Sequence, residues 1–202
     1  MDQPPTNAKR PIHPAWLRIT HWLNAAAIIT LIGSGWQIYN ASPLFPFKFS
    51  HSITIGGWLG GAIQWHFAAI WILFATALTY LVMGITTGRW KKKLWPVTPR
   101  AIWQDFKAAL HGHLSHDDIR QYNAVQKAAY IFVIIDVTLL IMSGLVLWKN
   151  VQFPWLRTLL GGYEVARYIH FFSMAGIVGF IVVHVALALL VPRTLRAMIV
   201  GR

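Results

Sequence analysis

Apolar residues gather into four long runs, at Ala15–Tyr39, Gly57–Thr86, Asn123–Trp148 and Tyr168–Val191. A hydrocarbon layer ~30 Å thick takes ~20 helical residues to cross, so each run suffices for one spanning helix, and the second has residues to spare for tilt or projection. Between the runs the pattern changes. Asn40–Ser52, with Pro43 and Pro46, reads as a short connection, and Lys149–Arg167 as another, with an interfacial turn near Trp155–Leu160. Thr98 and Pro99 read as an N-cap with proline in the first turn. Ile102, Trp103, Phe106, Ala109 and Leu110 follow at helical spacing, which predicts a helix lying along the membrane surface rather than crossing it. Trp16, Trp22, Trp36, Trp58, Trp90, Trp95, Trp148 and Trp155 fall near the proposed ends, as an interfacial aromatic belt requires. No internal repeat stands out. The expected fold is an all-α, integral membrane four-helix bundle, with residues 1–202 as a single domain.

Composition excludes a soluble globular chain: 56% of residues are hydrophobic, 12% are charged and the mean hydropathy is +0.49. The formal net charge of +12 raises the question of a nucleic-acid partner, but its distribution answers otherwise. Only Lys48, Lys149, Arg157 and Arg167 fall on one side of the proposed spans, and the other fourteen of the 18 Lys and Arg fall on the side that holds both termini and the central loop. The positive-inside rule then puts both termini in the cytoplasm, with the basic face against anionic lipid. The polar lead Met1–Pro14 does not read as a cleaved signal, so the first span is expected to stay attached. Cysteine is absent, which removes covalent c-type haem, iron–sulfur clusters, thiolate zinc sites and disulfides. Any metal would be held by histidine, by carboxylate or within a noncovalent cofactor.

Histidines then become the informative residues. His170 and His184 lie fourteen positions apart in the fourth run, close to four helical turns, so they share a face about 21 Å apart at ~1.5 Å per residue. His21 lies near the inner end of the first run and His66 in the outer half of the second. Depth therefore pairs His66 with His170 toward the outer surface and His21 with His184 toward the inner one. Imidazoles are costly in hydrocarbon without partners. Two trans-axial pairs from different helices, at two depths, are what two low-spin b haems require. A lone intramembrane histidine also reads as a hydrogen-bonded packing residue or part of a proton path. Arg18 and Arg167 each precede a proposed ligand by three positions on its aqueous side, well placed for haem propionates. Gly35, fourteen residues after His21, offers a surface free of side chains at the outer depth, and Gly60, Gly61, Gly176 and Gly179 can do the same or simply permit close helix packing.

Other polar residues carry less. His13 and His51 read as solvated, and His111, His113 and His116 with Asp117 and Asp118 read as a solvated loop or a divalent-metal site. Asp136 falls mid-span, where a protonated, hydrogen-bonded carboxyl or a proton relay are the open readings.

The segments WLRITHWLNA with His21, QWHFAAIWIL with His66, YNAVQKAAY, MSGLVLW, ARYIHFFSMAGIVGFIVVHVALAL with His170 and His184, and the closing LVPRTLRAMIVGR occur in an order and spacing that resemble the prokaryotic di-haem cytochrome b561 family. That family includes the b-type membrane subunits of nickel–iron hydrogenases and is related to formate dehydrogenase gamma subunits. The resemblance implies a four-helix bundle with two b haems on His21, His66, His170 and His184, exchanging electrons with membrane quinone. It further implies quinone handling near the inner haem, where Tyr122, Asn123, Gln126 and Lys127 stand. Asn123 or Gln126 would hydrogen-bond a quinone carbonyl, and Lys127 would neutralise developing charge or a propionate. Interfacial anchoring and helix capping are the plainer roles for these residues. The expected function is electron transfer between the quinone pool and a periplasmic redox protein, by resemblance a molybdoenzyme or hydrogenase. A stand-alone oxidoreductase that oxidises superoxide and reduces quinone, and a haem-free transporter or scaffold, are the alternatives. The charge distribution leaves no role for nucleic acid.

Overall fold

The computed structural model describes residues 12–88, 98–110 and 124–201. Seven α-helices and a single 3-10 turn (His51–Ile53) occupy them: α1 (Ala15–Ala41), α2 (Leu59–Thr86), α3 (Pro99–Leu110), α4 (Ala124–Trp148), α5 (Pro154–Leu159), α6 (Tyr163–Leu190) and α7 (Pro192–Val200). The four long ones, α1, α2, α4 and α6, are apolar and long enough to cross a membrane. They coincide with the four expected runs, and α5 with the expected interfacial turn. Asn123, Tyr122, the histidines at 111, 113 and 116 with the adjoining aspartates, Trp90, Trp95 and the basic stretch 89–93 lie outside the described residues.

Two boundaries differ from expectation for local reasons. The second span starts at Leu59 rather than Gly57, because Gly56 and Gly57 hold φ of +108° and +69°, a turn conformation outside the helix. The fourth starts at Tyr163 rather than Tyr168: Glu164 and Arg167, one turn apart, pair at 2.9 Å and carry the helix beyond the apolar run. At its other end, Pro192 lacks the N–H that would continue the ladder. It ends α6 and opens α7, a helix the sequence reading did not separate.

Packing follows the rule for lipid, where burying large side chains gains nothing and close backbone approach gains contact. α1 packs on α2, and α4 on α6, as two hairpins that approach each other only sparsely. The seams carry small or polar residues two turns apart: Thr20, Ala27 and Ser34 on α1; Ala62, Ala69 and Thr76 on α2; Asp136 and Ser143 on α4; Ala166 and Ser173 on α6. Thr76 hydrogen-bonds Asn24 across the first seam, and Ser173 reaches Asp136 in the second. Large apolar side chains point outward, Trp71 at 66% exposure and Val182 at 65%. The hairpins share one local contact. A Ser-Gly pair on the first helix of each, Ser34-Gly35 and Ser143-Gly144, meets a histidine on the second, His66 and His170.

Both ends are tied. At the end holding the termini, α7 folds back along α1: Ile12 N donates to Gly201 O at 2.8 Å, Arg18 Nη1 to Ile199 O at 2.7 Å and Trp22 Nε1 to Met198 O at 3.3 Å. Asp105 of α3 accepts from the Ala124 amide at 2.6 Å, capping the start of α4. At the opposite, loop-side end, the Asn40 side chain makes two 2.8 Å bonds with the Phe49 backbone, Trp36 stacks on Phe49 at 4.7 Å and Phe45 rests on Phe171 at 5.3 Å.

Candidate functional site

The four intramembrane histidines fall into two tiers in the space between the hairpins. On the terminus side His21 of α1 and His184 of α6 stand with ring centroids 6.1 Å apart and planes at 60°. His184 stacks on Phe180 at 5.5 Å, and His21 meets Trp22 edge-on at 5.4 Å. On the loop side His66 of α2 lies close enough to His170 of α6 for their rings to interact electrostatically. The Nδ1 atoms of both are held, His66 at 3.0 Å from Ser34 Oγ and His170 at 3.0 Å from Ser143 Oγ.

Glycines clear the loop-side tier. A Cβ on Gly35 would stand 3.6 Å from His66 Cε1, and one on Gly144 would stand 3.3 Å from His170 Cε1. The other glycines singled out from the sequence divide. Gly60 and Gly61 face Trp58 and the Gly56 carbonyl, so they seat the turn before α2; Gly176 faces the Asp136 carboxyl and Phe132, so it brings α6 onto α4. Those three serve packing. Gly179 has open space around it.

The arginines are partly committed. Arg167 reaches Ser42 O at 2.6 Å and Ser42 Oγ at 3.1 Å through Nη2, and pairs with Glu164 through Nη1. Arg18 bonds Ile199 O, yet its buried Nε has no hydrogen-bond partner. Gln126 and Lys127 lie in the first turn of α4, each interacting with neighbours. The seam also holds Asp136, whose Oδ2 has no hydrogen-bond partner. Sequence reasoning missed Ser34, Ser143 and Gly144. The recurring Ser-Gly pair near the loop-side ends of the first and third spans was the available signal.

A flat, iron-bearing cofactor suits these residues. Among the described residues no group of three or more His, Cys, Asp and Glu gathers as a metal cage, but His21 and His184 oppose each other across the hairpins and His66 lies in the neighbourhood of His170. Two rings joined through one metal by ~2 Å bonds stand about 6 Å apart between centroids, and the terminus-side pair has that separation. The orphaned Arg18 Nε offers a donor to an anionic group.

An apolar four-helix bundle that brings histidines of different hairpins together at two depths is the architecture of a membrane cytochrome. The chain belongs to the prokaryotic cytochrome b561 family, whose sequence profile it matches over residues 12–201. It is 57% identical over 190 residues, 94% of this chain and 96% of the relative, to an Azospira oryzae protein named as a candidate protein-methionine-sulfoxide reductase subunit, YedZ1. It is 28% identical over 196 residues (88% and 78%) to a protein of Cupriavidus necator and 24% identical over 194 residues (88% and 79%) to one of Azotobacter chroococcum, both named as candidate Ni/Fe-hydrogenase B-type cytochrome subunits. The chain is thus a bacterial integral membrane cytochrome of the b type, with haem b as cofactor and electron transfer as its work.

Proposed function

We propose that this chain passes electrons across the membrane between quinone, at the end holding the termini, and a redox protein at the loop-side end, through two b haems held by His21/His184 and His66/His170. The observation that carries this reading is the opposition of His21 and His184 at 6.1 Å from different hairpins, with His66 and His170 near each other at the other depth. When bound, the irons supply one-electron exchange; the protein supplies ligation, orientation and exclusion of water. Arg18 and Arg167 would neutralise propionates, Arg18 through its spare Nε and Arg167 alongside its bonds to Ser42 and Glu164. Asn123 or Gln126 would hydrogen-bond a quinone carbonyl, with Lys127 beside them. Both termini would lie in the cytoplasm, by the charge distribution.

The 57% identical relative favours a partner that reduces methionine sulfoxide in proteins over a hydrogenase. Chemistry then gives a direction. A quinol releases two electrons and two protons as it becomes quinone, and a sulfoxide consumes two electrons and two protons to give thioether and water, so only the electrons need to cross the bundle. A pyridine haemochrome assay on the purified chain is expected to give two b haems, reducible by quinol; none would overturn the reading. Replacing Asn123 and Gln126 by Ala should slow quinone-linked haem turnover with both haems retained, and an unchanged rate removes them from the site. A soluble redox subunit should co-purify. Its absence from a two-haem preparation that oxidises superoxide would favour a chain acting alone.

A further inference from the structure

We propose that Ser34 and Ser143 are positioning residues of the loop-side site: their hydroxyls fix which nitrogen of His66 and of His170 faces the iron, and thereby tune its potential. This rests on the ligand reading above and adds a mechanism to it.

The number of hydrogens on each hydroxyl decides which group donates. A serine hydroxyl has one. Ser34 Oγ donates it to Thr30 O at 2.6 Å, and Ser143 Oγ donates it to Leu139 O at 2.6 Å. What each oxygen then turns toward the neighbouring imidazole is a lone pair. Each 3.0 Å contact is therefore made by Nδ1–H donating to Oγ. A neutral imidazole carries one N–H, so Nε2 of both rings is left as the electron-pair donor, the form a metal binds.

Burial makes the arrangement strict. Both serines are 0% exposed, so a hydroxyl rotated away from either bond would lose a hydrogen bond with no water to replace it. The glycine after each serine leaves space for the ring that the serine aims. His184, by contrast, packs on the face of Phe180. An acceptor at Nδ1 makes Nε2 a stronger donor, and a stronger donor favours the oxidised metal. Removing the hydroxyls should therefore raise the potential of the loop-side iron alone.

The test is a redox titration of the purified holoprotein, with optical and EPR readout at each haem, for Ser34→Ala/Ser143→Ala and Ser34→Thr/Ser143→Thr. The alanine variant should bind the loop-side haem about ten-fold less tightly, titrate it at a more positive potential with altered EPR g values, and leave the terminus-side haem as in the parent. The threonine variant, which keeps both hydroxyls, should restore the parent values. An unaltered loop-side potential in the alanine variant, or a threonine variant indistinguishable from it, overturns this proposal alone. A His66→Ala chain that still holds two haems overturns the ligand assignment and this proposal with it.

Discussion

His21 and His184, from the first and last of the four long helices, bring their ring centroids to 6.1 Å although 163 positions separate them in the chain. Because one ring comes from each hairpin, whatever the rings hold also ties the hairpins together. Two hairpins that share few contacts of their own need such a link, so cofactor content and bundle stability should move together.

Removing either member of a pair should cost the whole of that site and nothing of the other. His21→Ala and His184→Ala should each halve the haem content, and the double variant should be no worse than either single one, since both act on one unit. Adding His66→Ala should leave a colourless protein. Haem per chain by pyridine haemochrome reads all of these, and independent losses from His21→Ala and His184→Ala would contradict the pairing.

Glycine replacements should rank by the room each site leaves. An added methyl stands 3.3 Å from His170 Cε1 at Gly144 but 3.6 Å from His66 Cε1 at Gly35. Gly144→Ala should therefore displace its imidazole, at a cost of about 1 kcal/mol, whereas Gly35→Ala should be close to neutral. Thermal unfolding and the shape of the loop-side haem spectrum distinguish them; equal effects would mean the rings have more freedom than these contacts allow.

Gly176 and Asp136 should behave as a coupled pair. A Cβ at Gly176 would lie 3.3 Å from Asp136 Oδ2, so Gly176→Val should push α6 off α4 and destabilise by roughly 1–3 kcal/mol. Asp136→Ala, by vacating that space, should offset part of the loss. A double-mutant cycle on unfolding in detergent measures the coupling, and strict additivity would show that the two do not press on each other.

At the terminus end Gly201 holds φ +84° and a Cβ there would approach Arg18 Cζ to 3.2 Å. Gly201→Val should release the last turn of α7 at a cost of about 1–2 kcal/mol, and Arg18→Ala should loosen the same contact by removing the bond to Ile199 O. Limited proteolysis should cut both variants faster near the C-terminus than the parent. An unchanged cleavage rate in both would show that this contact does not hold α7 in place.

The spans and their histidines were legible in the sequence because each depends on one segment at a time. A run such as Asn123–Trp148 announces its helix by length and apolarity, and the fourteen-residue interval from His170 to His184 announces a shared face. Relations between segments were harder. Gly35 and Gly176 look alike as intramembrane glycines, yet one faces an imidazole and the other a carboxyl, a difference set by helix rotation within each seam. Ser34 and Ser143 passed unread because a buried serine in a membrane helix is normally satisfied by its own i−4 carbonyl. Both are, and it is the second bond, to a histidine on the next helix, that gives them their proposed role. The start of α6 was misplaced for a different reason: apolarity locates hydrocarbon, whereas the helix continues past it through Glu164 and Arg167.

The contact shared by the hairpins has one more consequence. Thirteen residues before each serine stand His21 on α1 and Tyr130 on α4, and fourteen after each loop-side histidine stand Tyr80 on α2 and His184 on α6. The halves are therefore equivalent at one end and inequivalent at the other, where phenols occupy the positions that would complete a second imidazole pair. Charge carried through two such sites would meet matched halves at the loop-side end and would leave or enter the far end by one flank only. On the reading proposed above, that lopsidedness would confine traffic with a lipid-soluble carrier to a single doorway, whichever way the current runs.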